Sequence, residues 1–381
     1  MKKTFAHTKK EIEGQPDLWL ETLQLIHENS DCIDFLHSVY SRDRLNVVLT
    51  GAGSSAFIGE TVEHLFEGRQ ASARALPTTT LVTHFKDYID TSTPLLLISF
   101  ARSGNSPESI AVVDIAESRC GEVHHLAITC NKSGRLAQKI QQLENGCTVV
   151  LPPASEDRGL AMTGSFTSMV LSAVYYSKFR QLKNNGTAGL LSKIADDSRH
   201  IINTAAKPLK SISEQPFNRI VFLGSGPLLG IARESHLKVQ ELSDGEVVGK
   251  FDSFLGFRHG PKAVVDKQTI LVFLFSSDKH VFRYEKDLVE QIVHENTAMK
   301  CIGVFHNRRQ AEAFDLDLNI AIRQGDEPAP SDYDLLPYVL PAQMIGFYKS
   351  LDLGLKPDAP SKNNAISRVV KGVKIYPESK D

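Results

Sequence analysis

Two clusters of polar residues carry the chemistry open to this chain. The first is Ser99-Phe100-Ala101-Arg102-Ser103-Gly104-Asn105-Ser106-Pro107-Glu108-Ser109. Its hydroxyls, amide and arginine are donors, and Gly104 lets backbone N–H groups approach an anion. A helix opening near Pro107 adds the positive end of its dipole. Such a loop suits a phosphate monoester, whose oxygens need several donors; the plainer alternative is a serine-rich helix cap. A second hydroxyl pair, Ser54-Ser55, follows the turn Gly51-Ala52-Gly53 and weighs toward the anion. The other cluster is Glu234, Lys238 and Glu241, spaced to share one helix face, with Phe257-Arg258-His259-Gly260-Pro261 downstream. The helix opens at the ligand-binding edge of its domain, and a histidine beside Gly-Pro on a tight turn is well placed to project into a site. The alternative there is a solvated salt-bridge stripe.

Other chemistries find less support. Gly51-Ala52-Gly53-Ser54-Ser55-Ala56 fits the glycine fingerprint of dinucleotide sites, but no acidic residue ends the next strand, Ala71–Leu76, to hold a ribose. His294-Glu295 lacks the second histidine of a zinc helix, and His124-His125 enters a strand and packs there. No metal and no organic cofactor is expected.

The elements that must position these residues recur. Leu45–Thr50 is an apolar strand running into a glycine turn and a helix, and Arg219–Gly224 repeats it. Leu95–Phe100 has its counterpart in Ile270–Phe275, and His125–Asn131 in Cys301–Asn307. Three strands recurring in order at nearly constant spacing indicate an internal duplication. Continuous apolar strands alternating with helical segments predict parallel sheets covered on both faces, hence two doubly wound α/β domains. Ligands of such sheets sit at the carboxyl ends of the strands. The second copy of the anion loop reads Ser276-Ser277-Asp278-Lys279, whose carboxylate would repel phosphate. Only the first copy is therefore expected to keep the anion site. The expected boundaries are a helical segment over 1–40, a first domain with a helical connector over 41–200, a second over 210–355, and a tail over 356–381. In the tail, a loop after Pro357 precedes a β-prone stretch, Val369–Tyr376.

Composition sets the outer limits. The chain has 381 residues, 41% hydrophobic and 23% charged, which is ordinary globular content. With 43 basic against 45 acidic residues, it lacks the electrostatic footprint of a nucleic-acid binder. No apolar run approaches the ~18 residues of a membrane span, and Met1-Lys2-Lys3-Thr4 leads into no signal-peptide core. Five scattered cysteines without a Cys-x-x-Cys pair read as reduced thiols of a cytoplasmic protein.

At these residues the chain resembles the tandem SIS (sugar isomerase) family, closely the AgaS-type galactosamine-6-phosphate deaminase/isomerases. The most specific stretches are 49–59, 96–109, 256–262 and 368–377. The resemblance implies two flavodoxin-like domains, and the family is similar to the isomerase half of glucosamine-6-phosphate synthase. Carried over residue by residue, the synthase's phosphate loop falls on Ala101–Ser106. Ser103 and Ser106 match hydroxyl ligands, Ala101 replaces the first serine, and Arg102 and Asn105 offer further donors. Ser55, beside Ser54, matches an upstream phosphate-side serine. Glu241 matches the proton-transfer glutamate and Lys238 its accompanying lysine. His259 matches the ring-opening histidine, which that family takes from a neighbouring subunit, and Lys371 matches a C-terminal active-site lysine.

The resemblance implies a homodimer or higher homo-oligomer with shared active sites and a sugar 6-phosphate substrate, with no nucleic acid and no membrane as partner. The synthase also carries a glutaminase domain, for which there is no room before Leu45. Ammonia release is thus expected, converting galactosamine 6-phosphate and water to tagatose 6-phosphate and ammonia. The alternatives are an aldose–ketose isomerase of a sugar without nitrogen, a glucosamine-6-phosphate deaminase, and a sugar-phosphate-sensing regulator.

Overall fold

The computed structural model describes residues 6–181, 186–325, 329–370 and 372–376. It contains two five-stranded parallel sheets. The first holds β1 (Leu45–Thr50), β2 (Ala71–Ala75), β3 (Leu95–Ala101), β4 (Val123–Thr129) and β5 (Gly146–Val150), in the order β2-β1-β3-β4-β5. The second holds β6 (Arg219–Gly224), β7 (Val248–Asp252), β8 (Thr269–Leu274), β9 (Lys300–Asn307) and β10 (Leu318–Arg323), in the order β10-β9-β8-β6-β7. Read from its other edge, the second order is the first, so each sheet is doubly wound in the flavodoxin manner.

The central strands explain this arrangement. Every residue of β3 and of β8 is buried, as befits strands covered by helices on both faces. The first core is mainly aliphatic, with Val48, Leu97, Val112 and Leu136 around Phe85. The second is aromatic: Phe254, Phe257, Phe273, Phe275 and Phe305 are buried, and the rings of Phe275 and Phe305 stack at 4.4 Å. In each sheet the order reverses between two neighbouring strands, β1/β3 and β6/β8, and loops leaving those strands flank the ligand crevice. Thr50 is in register with Ser99, and Gly224 with Leu274.

The chain forms two compact units. One comprises Glu21–Glu156, Gly164–Asn185 and Ile366–Asp381 around the first sheet; the other comprises Met1–Leu20, Asp157–Thr163 and Gly186–Ala365 around the second. The expected boundaries cross these units. Helix Ala6–Glu13 goes with the second sheet, where Thr8 Oγ1 donates to Asp358 at 2.8 Å, while helix Ser30–Val39 goes with the first. The long helix Thr187–Ser213 also goes with the second sheet, where Asp197 accepts from Arg323 Nε at 2.8 Å. These partners lie far apart in sequence, so local pattern could not have drawn the divisions. The β-prone tail forms no strand among the described residues.

Candidate functional site

In the first unit, the turn after β1 is shaped by glycine. A Cβ on Gly51 would stand 2.5 Å from the Ser55 backbone, and Gly53 has φ +56°. The helix Ser54–Val62 opens there with Ser54 and Ser55 both buried. The loop after β3 turns at Gly104, with φ +64°. Ser106 then caps helix Pro107–Arg119, accepting from Ser109 N, with Pro107 in the first turn. The Ser106 and Ser109 hydroxyls lie 2.7 Å apart. Ser103 Oγ accepts from Asn105 N at 3.3 Å, and its carbonyl accepts from Asn131 Nδ2. Asn105 is used structurally through Oδ1, which accepts from Arg135 N at 3.1 Å and ties the loop to the next helix. Arg102 is buried and donates from Nη2 to the Arg368 carbonyl at 2.9 Å. Because β1 and β3 are neighbours, their two hydroxyl-bearing loops leave adjacent strands at one sheet edge.

In the second unit, helix Pro227–Leu242 carries the acidic-basic cluster. Lys238 is wholly buried, with Nζ 3.3 Å from Glu234 Oε1 and 2.6 Å from Glu241 Oε2. A solvated stripe is thereby excluded. Burial comes from close packing: a Cβ on Gly346, in helix Leu340–Asp352, would meet the Lys238 carbonyl at 3.0 Å. Glu234 is also fully buried, whereas the Glu241 side chain keeps 22% exposure and so can be reached from outside. The helix opens at the carboxyl edge of its sheet, but its length carries Lys238 and Glu241 into its last two turns, toward the opposite end. His259 is exposed beside Gly260, whose φ is +115°. Its ring makes no hydrogen bond or ion pair among the described residues. Lys371 lies outside the described residues.

In the second sheet, carboxylates of the chain itself take backbone donors after β8. Asp278 caps helix Lys279–Glu295, accepting through Oδ1 from His280 N at 2.7 Å and Val281 N at 3.1 Å. Glu285, fully buried, accepts from Ser276 N at 2.8 Å, and burial pushes its carboxyl up to about 7. Sequence reasoning missed Glu285, although it stands on the apolar stripe with Leu288, Val289 and Ile292, a placement that signals a buried carboxyl. The Arg368–Glu156 pair at 3.1 Å was also missed, and no local pattern points to it. His125 is buried in β4, with Nε2 2.8 Å from Glu117. Among the described residues no cluster of histidine, cysteine, aspartate and glutamate could hold a metal.

Two flavodoxin-like sheets stand in one chain, the first with a hydroxyl-rich loop after β3, and the SIS domain family matches residues 39–176. The D-galactosamine-6-phosphate deaminase AgaS of Shewanella sp. (strain ANA-3) is 36% identical over 375 residues, covering 97% of this chain and 92% of that protein. The protein of the same name from Escherichia coli O157:H7 is 37% identical over 397 residues, covering 98% and 96%. The crystal structure of tagatose-6-phosphate ketose/aldose isomerase from Escherichia coli superposes with a TM-score of 0.86 at 36% identity, covering 97% of this chain and 96% of that one. The chain belongs to the AgaS family of SIS-domain proteins.

Proposed function

We propose that the chain is an isomerising deaminase that converts D-galactosamine 6-phosphate and water to D-tagatose 6-phosphate and ammonia. The observation that carries this reading is identity of 36–37% along 97–98% of the chain with D-galactosamine-6-phosphate deaminases. The loop after β3 supports it. A neutral helix cap, the Ser103 and Ser106 hydroxyls and the buried Arg102 suit a phosphate dianion, with Ser54 and Ser55 on the neighbouring turn and Asn105 bracing the loop.

The chemistry assigns each group a task. The sugar ring must open, and His259, supplied by a neighbouring subunit as the synthase resemblance implies, exchanges protons at O1 and O5. Glu241 takes the proton from C2 and returns it at C1, leaving an imine at C2. Lys238 holds Glu241 in place through the 2.6 Å ion pair and, with Lys371, offsets charge developing on the substrate oxygen. Water adds to the C2 imine and ammonia leaves. The balance is closed by water alone.

A second reading, a ketose/aldose isomerase acting on a sugar without nitrogen, has the name of the similar Escherichia coli structure in its favour. It uses the same proton transfer. Ammonia release from galactosamine 6-phosphate, glucosamine 6-phosphate and their N-acetyl forms separates the two. Release from the first is expected, whereas isomerisation of tagatose 6-phosphate without any release would favour the second.

The working form is proposed to be a cytoplasmic homo-oligomer. The free cysteines suit a reducing compartment, and among the described residues no helix is long and apolar enough to cross a membrane. Mixing an inactive Ser103→Ala/Ser106→Ala protein with an inactive His259→Ala protein should restore partial activity by subunit exchange. No recovery despite demonstrated exchange would place His259 in service of its own chain.

A further inference from the structure

The segment Ile366–Val370 belongs to the same compact unit as the loop after β3. Its polar contacts include two that reach other parts of the unit. Arg102 Nη2 donates to the Arg368 carbonyl at 2.9 Å, joining residues 266 positions apart. Arg368 Nη2 stands 3.1 Å from Glu156 Oε1. Arg102 is only 7% exposed. A guanidinium keeps its charge when buried, and its planar fork is useful to a phosphate only when held in one orientation. A backbone carbonyl contributes to that orientation and itself brings no countercharge.

We propose that Glu156 and Arg368 are positioning residues. Their ion pair clamps Ile366–Val370, so that the Arg368 carbonyl holds the Arg102 guanidinium ready for phosphate. This rests on the reading of the loop as a phosphate site. A reciprocal effect follows from linkage: if docking of the segment favours phosphate binding, phosphate favours docking by the same factor. The pair is about one-third exposed on each side, 34% and 33%, so it adds little to folding and its variants report on positioning.

The test uses the full chain and inorganic phosphate. Phosphate affinity is measured by titration calorimetry, and docking of the tail by the rate of tryptic cleavage after the exposed Lys374. Phosphate should slow that cleavage in the native protein. Glu156→Gln should weaken phosphate about two- to fivefold and speed cleavage, with the thermal midpoint unchanged. The exchanged pair, Glu156→Arg with Arg368→Glu, should recover both. Unchanged phosphate affinity in Glu156→Gln and Arg368→Ala, while Ser103→Ala weakens it, overturns the positioning role alone. Unchanged affinity in Ser103→Ala as well overturns the phosphate site, and the clamp falls with it.

Discussion

The loop after β3 and the loop after β8 hold the same place in two sheets of one topology, yet their electrostatics are opposite. The backbone between sheet and helix is conserved within the chain: Gly53 and Gly226, at the adjacent turns, have φ +56° and +54°. What differs is the side chains at the helix ends. After β3 the cap is the uncharged Ser106, with the buried cation Arg102 in the same loop. After β8 the cap is Asp278, and Glu285 takes the Ser276 N–H. Carboxylates of the chain itself thus occupy donors that could otherwise face an anion. A duplicated fold supplies the crevice twice, and the charge of a few side chains makes only the first copy suited to the phosphate of the proposed function.

The sharpest division between the copies is in chemistry, which the proposed function assigns to the second. Glu241→Gln keeps the shape of the side chain and removes the base, so kcat should drop by about 10²–10⁴ with KM little changed. Glu234→Gln, on the buried side of Lys238, should cost less. Turnover in D₂O should place deuterium at C1 of the ketose in the native enzyme and almost none in Glu241→Gln. Normal turnover in Glu241→Gln with a dead Glu234→Gln would move the base to the other carboxylate.

Phosphate binding should divide the other way. Ser103→Ala and Ser106→Ala each remove a hydrogen bond to a charged group, worth about 1.5–3 kcal/mol, and should raise KM roughly ten- to a hundredfold. Ser276→Ala and Ser277→Ala, at the matching place after β8, should leave KM alone. Equal effects in both loops would break the comparison.

A smaller effect tests the buried carboxyl after β8. Glu285 has a folded pKa of about 7 against an ordinary value of 4.5. Between these values the folded state holds the proton that the unfolded state has released, so stability falls as pH rises through this window. The Glu285→Gln variant lacks that loss. Its stability relative to native, read from unfolding, should be highest at pH 8, by up to about 3 kcal/mol, and the gap should narrow toward pH 5. A gap independent of pH would mean that the carboxyl stays ionised in the fold.

Part of this was legible in residue order. The strands Leu45–Thr50 and Arg219–Gly224 stand as read, because a short apolar run before a glycine turn is a local signal. The start of helix Pro107–Arg119 was equally plain from Ser106-Pro107. The stripe Glu234, Lys238, Glu241 could be placed on one helix face, but face alone could not say whether water or protein covers it. Helix Leu340–Asp352 decided that, pressing Gly346 against the turn that carries Lys238.

Sequence by itself determined the duplication, the two parallel sheets, the hydroxyl-rich loop and the acidic character of its second copy. These depend on periodicity, turn chemistry and residue type, all short-range properties. Tertiary structure alone decided that Lys238 and Glu285 are buried, that Glu241 keeps an exposed edge, and that Arg102 is held by a carbonyl far along the chain. It also decided that helices Ala6–Glu13 and Thr187–Ser213 join the second sheet. Burial and long-range hydrogen bonds depend on which distant segments come to lie together, and packing sets that free energy through contacts that no window of neighbouring residues contains.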